Sequence, residues 1–186
     1  MSADARAARP RVSIGLPVYN GERYVQEAID SVLGQTYRDL ELIVSDNAST
    51  DATLEIVERA AAADTRVIVV RNDENRGAAH NYNLVFERAR GEFFRWHAHD
   101  DRMEPELLER LVARLDADPS SVLAHSWTRF VDDDGATTEE FRDDLGVTSP
   151  SLVTRIVRIV RRLTYCNAVF GLIRRDVLAR TALIAP

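Results

Sequence analysis

The chain contains no lysine: all 24 of its basic residues are arginine. No Schiff-base chemistry and no lysine nucleophile is therefore available. A single cysteine, Cys166, can form neither an internal disulfide nor a Cys-rich metal site, which fits a reducing compartment. Glycine (8) and proline (6) are too sparse for a collagen-like or linker-dominated chain. The apolar runs are strand-sized, far short of the roughly 18 residues that would span a bilayer. The leader, residues 1–10, is rich in Ala and Arg but lacks the apolar centre of a secretory signal, so a cytoplasmic location is expected. Basic residues are outnumbered by 30 acidic ones, and the net charge of −6 disfavours nucleic acid as a partner. What remains is ordinary globular composition, 45% hydrophobic over 186 residues, enough for one domain with a real core.

The hydrophobic pattern alternates between two periods. Val12–Leu16, Leu40–Ser45, Arg66–Arg71 and Glu92–His97 read as strands. Tyr24–Leu33, Leu54–Ala61 and Ala78–Arg90 read as the helices between them. Strands joined by helices of about a dozen residues imply right-handed crossovers and a mostly parallel sheet covered on both faces. Pro105 opens a further helix through Leu115, and Ser121–Val131 reads as one strand. Glu139–Gly146 reads as an acidic loop, and Ser149-Pro150 as the cap of a helix running to about Arg162. Gly171–Asp176 leads into a last helix, expected to be still running at Pro186.

In such sheets ligands bind beyond the carboxyl ends of the strands. The four loops there, Pro17–Glu22, Asp46–Asp51, Asn72–Gly77 and His97–Asp101, are all polar. One polar loop is a solvated turn; four at one edge suit a polar, phosphorylated ligand. Neither G-x-G-x-x-G nor G-x-x-x-x-G-K-[ST] occurs, which disfavours a Rossmann dehydrogenase or a P-loop enzyme. A diphosphate must then be neutralised otherwise, and Asp100 and Asp101 offer hard oxygen ligands for a divalent cation. The same pair also suits the N-terminus of the helix that Pro105 begins.

In order and spacing, Val12–Asn20, Glu41–Asp51, Asn72–Gly77 and Trp96–Asp101 resemble the family 2 glycosyltransferases, and Gly171–Leu178 resembles a later stretch of that family. The resemblance covers about residues 11 to 181. It implies an α/β, GT-A-type, Rossmann-like fold with a mostly parallel sheet flanked by helices, residues 11–186 forming one domain. It implies a role in cell-envelope polysaccharide biosynthesis: inverting, metal-dependent transfer of a sugar from a UDP-, dTDP- or GDP-sugar to a saccharide or lipid-linked acceptor hydroxyl. Pro17, Tyr19, Glu22, Asp46, Asn47, Arg76 and Asp100 fall at nucleotide-sugar positions. Asp100 and Asp101 fall at the metal position, for Mn2+ or Mg2+. The family commonly has Asp-x-Asp-Asp, whereas Ala98-His-Asp-Asp101 keeps only the last two carboxylates. Asp46 also suits a loop cap, Ser49 and Asp51 suit caps of the following helix, Arg76 suits a surface position and Trp96 the core.

The family's acceptor base falls after the strand that follows Cys166–Arg175, so it is expected beyond Pro186, with Asp176 a helix cap. A nucleotide-sugar-binding domain without turnover, and a nucleotidyltransferase, are the alternatives. One feature stands apart from the site: Arg155, Arg158, Arg161 and Arg162 share one side of the helix that ends at Arg162, and Ile156, Val157, Ile159 and Val160 lie elsewhere. That pattern suits a packed helix with a solvated face, peripheral contact with anionic lipid, or approach to a polyprenyl-phosphate acceptor.

Overall fold

Four strand and helix pairs open the chain: β1 (Val12–Val18), α1 (Val25–Leu33), β2 (Leu40–Asp46), α2 (Thr53–Ala63), β3 (Val67–Arg71), α3 (Ala78–Arg88), β4 (Phe93–Trp96) and α4 (Leu107–Ala117). β5 (Leu123–Ala124), β6 (Thr128–Val131), β7 (Thr137–Phe141), α5 (Leu152–Arg162), a 3-10 turn at Asn167–Phe170, β8 (Leu172–Arg174) and α6 (Arg175–Leu178) follow. The computed structural model describes residues 9–132, 135–142, 147, 149–162 and 165–185. Contacts divide it into two compact units, residues 9–124 with 172–185, and residues 125–171. Among the described residues no helix is long and apolar enough to cross a membrane.

The larger unit is built on a six-stranded sheet of order β3-β2-β1-β4-β8-β5. β1 to β4 are parallel, and β8 runs antiparallel to both β4 and β5. Every residue of β1, β2 and β4 is buried, as expected of strands covered on both faces. One face packs on the apolar stripes of α1 (Val25, Ala28, Ile29, Val32) and α4 (Leu108, Leu111, Val112, Leu115). On the other face, Gly15 lets Val85 of α3 and Phe94 close directly onto β1. Pro17 is tolerated in a central strand because β4 pairs with β1 only as far as Gly15 and Trp96, so no neighbour asks for the missing N–H.

At the amino edge of this sheet the buried polar groups are saturated. Glu41 is 3% exposed, and its carboxylate accepts bonds from the Ser13 hydroxyl at 2.6 Å, the Arg90 N–H at 2.9 Å and the Arg90 guanidinium at 2.6 Å. A buried charge so paired is structural.

In the smaller unit β6 and β7 form a two-stranded antiparallel hairpin, with Arg129 opposite Glu140. Tyr165 stacks against Phe130 and Phe141 at 5.4 and 5.0 Å. The Asn167 amide donates to the Thr128 hydroxyl at 3.0 Å.

Three expectations are corrected. Ser121–Val131 is not one strand: β5 joins the large sheet and β6 the hairpin, with His125–Trp127 outside both. Thr137–Phe141, partly expected as loop, is a strand, because an exposed hairpin tolerates glutamates when a cross-strand arginine faces one of them; residues 143–146 of that expected loop lie outside the described residues. The last helix ends at Leu178 and gives way to turns. α5 forms as expected, but Ser151 caps it, its hydroxyl accepting the Thr154 N–H at 3.3 Å.

Candidate functional site

The sheet order reverses at β1. β2 and β3 follow on one side, and β4 returns on the other, so the loops after β1 and β4 flank a crevice at the carboxyl edge. These loops touch: a Cβ on Gly21 would meet the His99 ring at 2.5 Å and the Val18 methyl at 2.7 Å, so a larger residue here displaces one of them.

The β1 loop is clasped to the β2 loop. Asn20, at a φ of 51°, donates its N–H to the Ser49 hydroxyl at 2.9 Å and accepts the Thr50 N–H at 2.8 Å; asparagine tolerates that left-handed backbone. Gly21 N–H donates to the Thr53 hydroxyl at 2.8 Å and Glu22 N–H to Asp51 at 3.1 Å. Burial pushes the Asp51 carboxyl up, but bonds from the Thr53 hydroxyl, the Thr53 N–H and the Glu22 N–H outweigh it and hold its pKa below the usual range. Among the expected nucleotide contacts in this loop, Pro17 is buried within β1 and Tyr19 is exposed. Glu22 spends its carboxylate on the Ala52 N–H at 2.9 Å, at the start of α2.

Asp46 ends β2 at 2% exposure. One carboxylate oxygen accepts the Ser49 N–H at 3.1 Å, while the other, Oδ1, is buried with no partner. A buried carboxylate oxygen left without a donor is costly, and it contrasts with saturated Glu41 at the opposite edge.

Beside Asp46 lies an asparagine network. Asn47 donates to Asn75 Oδ1 at 2.8 Å and accepts from the Asn72 amide at 3.1 Å and the Arg76 N–H at 3.2 Å. Asn81 donates to the Ser45 carbonyl at 2.9 Å and accepts from the Ser45 hydroxyl at 2.6 Å and the Asn72 amide at 3.2 Å. The network fixes the Asn72–Gly77 loop over the ends of β1 and β2. The exposed Arg76 side chain projects from that loop.

On the β4 side, Asp100 and Asp101 are both exposed. The protein packed around the Asp101 carboxyl, and then adjacent Asp100, raise its pKa above the ordinary range, while Arg95 and His99 pull it down. Tyr82 of α3 lies within the field of both carboxylates: burial first, then Asp100 and Asp101, raise its phenol. Arg95 is 8% exposed, makes no ion pair among the described residues, and leaves its Nε without a partner. Burial pulls it down to about 10, against the attraction of Asp101, so it stays charged at neutral pH. His97 is sealed in the core, and burial, then Arg95, lower its pKa to about 3 against the smaller upward pull of backbone at Ala28 and Asp101. Trp96 is core as expected, with its Nε1–H on the Tyr82 carbonyl at 2.9 Å and Phe94 at 5.0 Å.

Sequence reasoning passed over Asn72, Asn81, Tyr82 and Arg95. An arginine inside the apolar run Phe93–Trp96 is a readable signal; the asparagines carried none, since polar residues in loops are ordinary. Among the described residues no three acidic, His or Cys side chains converge as a complete metal cage. The arrangement can present two carboxylates to a cation and one unsatisfied carboxylate oxygen to a hydroxyl or N–H donor.

The family described as glycosyl transferase family 2 matches residues 13–181. The putative teichuronic acid biosynthesis glycosyltransferase TuaG of Bacillus subtilis is 36% identical over 102 residues, 55% of this chain and 40% of that protein. The S. aureus TarS 1-349 chain in complex with UDP-GlcNAc superposes with a TM-score of 0.74 at 24% identity, over 95% of this chain and 48% of that chain. The mannosyltransferase PcManGT of Pyrobaculum calidifontis, in complex with GDP-Man and Mn2+, gives a TM-score of 0.57 at 33% identity, over 63% of this chain and 35% of that one. Across eight curated relatives the chain spans 22% to 48% of their length.

Proposed function

The chain belongs to glycosyl transferase family 2, with the α/β, GT-A-type fold, and from that premise we propose that its carboxyl edge binds the nucleotide of a nucleotide diphosphate sugar for metal-dependent, inverting transfer to an acceptor hydroxyl. The observation that carries this is the unpartnered Oδ1 of buried Asp46 at the end of β2. It awaits a donor, and a base N–H or ribose hydroxyl supplies one. TarS was solved with UDP-GlcNAc and PcManGT with GDP-Man and Mn2+, which supports a uridine or guanosine donor.

The donor set at Asp100 and Asp101 suits Mn2+ or Mg2+: two adjacent carboxylates and, among the described residues, no complete protein cage, the arrangement in which a hard cation takes its other ligands from phosphates and water. When bound, such a cation neutralises the departing diphosphate. Asp46 orients the nucleoside, the Asn47 and Asn81 network holds the Arg76 loop, and Arg76 offers its guanidinium to the donor. With Ala98 in place of the family's first carboxylate, sugar contacts rest on other groups. A role in cell-envelope polysaccharide synthesis is supported by the name of TuaG, a teichuronic acid biosynthesis glycosyltransferase; a saccharide or lipid-linked acceptor and a cytoplasmic location belong to the same proposal. Asp176 pairs with Arg180 at 3.6 Å across one turn of α6 and its sequel.

Thermal shift with UDP, dTDP and GDP, each with and without Mn2+, tests the reading, since a ligand that binds only the native state raises Tm. One of the three stabilises the protein, and Asp46→Asn reduces its affinity by about 1–3 kcal/mol without unfolding the chain. Indifference to all three, or an unchanged affinity in Asp46→Asn, contradicts it. Release of nucleoside diphosphate from the sugar donor, rather than of pyrophosphate from a nucleoside triphosphate, separates glycosyl transfer from nucleotidyl chemistry.

A further inference from the structure

In the smaller unit, α5 is an amphipathic helix whose aliphatic side faces water. At about 100° per residue, Leu152, Val153, Ile156, Val157, Ile159 and Val160 fall in one arc. All six are exposed, Val153 by 70% and Val160 by 76%. Arg155 and Arg161 border that arc on its two sides, beside Ile159 and Val157, and Arg158 lies opposite. Residues 149–162 contain no acidic side chain, in a chain whose net charge is −6. An aliphatic patch of this kind on one helix marks a surface that something covers.

We propose that α5 lies in the interface of an anionic bilayer, its aliphatic face against the acyl boundary and its arginines at the level of the phosphates. The composition of the face selects this occupant. It holds no aromatic or hydrogen-bonding anchor of the type that concentrates affinity between proteins. A second copy docked face to face brings arginine borders together with no carboxylate on either helix to pair them. A lipid surface instead supplies both an apolar phase and negative charge, and bordering arginines reach its headgroups with their stems still on apolar ground. This surface is independent of the donor site, and binding to it needs no nucleotide.

The test is co-sedimentation of the whole chain with phosphatidylcholine vesicles, with and without phosphatidylglycerol, with light scattering on the lipid-free protein. The chain sediments with the anionic vesicles and not with the neutral ones, and salt releases it. Each of Arg155→Gln and Arg161→Gln lowers binding about fivefold at low salt. Val153→Glu and Val160→Glu, at positions already open to water, abolish it while circular dichroism stays unchanged. Absent or equal binding to the two vesicle types, indifference to the glutamates, or a lipid-free dimer that Val160→Glu splits, each overturns the proposal.

Discussion

Asn81→Ala removes the residue on which the asparagine network turns. Asn81 is 3% exposed and makes two short bonds with Ser45, one to the carbonyl at 2.9 Å and one from the hydroxyl at 2.6 Å, with longer ones to Val18 and Asn72. The two short bonds are worth about 1 kcal/mol each, and the stranded Ser45 hydroxyl adds about 1–2 kcal/mol of unrecovered desolvation, so the loss is about 3 kcal/mol. With a urea m-value of about 2 kcal/mol/M, the unfolding midpoint falls by about 1.5 M. Combining it with Ser45→Ala costs less than the sum of the two, by about 1 kcal/mol, because each single change removes the same bond. A midpoint within experimental error of the parent, or strict additivity with Ser45→Ala, shows that the Asn81–Ser45 bonds carry no stability.

Gly15→Ala places a Cβ 2.6 Å from Val85 Cγ2 and 2.9 Å from Phe94 Cζ, between packed layers that cannot part. The overpacking costs about 1–3 kcal/mol, read in calorimetry as a Tm lower by about 5 °C; an unchanged Tm shows that α3 moves freely. His97 contributes a pH dependence of fixed sign. Its folded pKa of about 3 lies below the ordinary 6.5, so below pH 6.5 the unfolded chain takes a proton that the folded chain refuses. Stability therefore falls as pH drops from about 6.5 to 3, by at most about 1.4 kcal/mol per unit, and not above that window. His97→Leu flattens the profile there, whereas parallel profiles for variant and parent contradict the buried, neutral imidazole.

β1 to β4 were legible because strands covered on both faces are near-continuous apolar runs, and α1 and α4 because one stripe of each is buried. The division of Ser121–Val131 was not: β5 and β6 read as one run, yet only two of its residues pair with β8. β7 was hidden because its glutamates face solvent in a hairpin, where charge and strand are compatible. At the site, the position of Asp46 was readable from its place at a strand end. The chemistry that sets it apart, one oxygen satisfied by the nearby Ser49 N–H and one orphaned, depends on the packing that buries this strand end. The same is true of Asn81 and Tyr82, which reach the edge from α3, and of Glu22, whose carboxylate the structure spends on the backbone of α2.

The proposed function requires nucleoside diphosphate and divalent cation to bind together at the carboxyl edge, through Asp46 and the Asp100-Asp101 pair. Isothermal titration of the diphosphate that raises Tm, run in Mn2+ and again in EDTA, with parent and Asp100→Ala, tests it most directly. Binding is tight to the parent in Mn2+, weak in EDTA, and equally weak to Asp100→Ala in either buffer if the cation bridges the diphosphate. Equal affinity of the parent in Mn2+ and EDTA contradicts it.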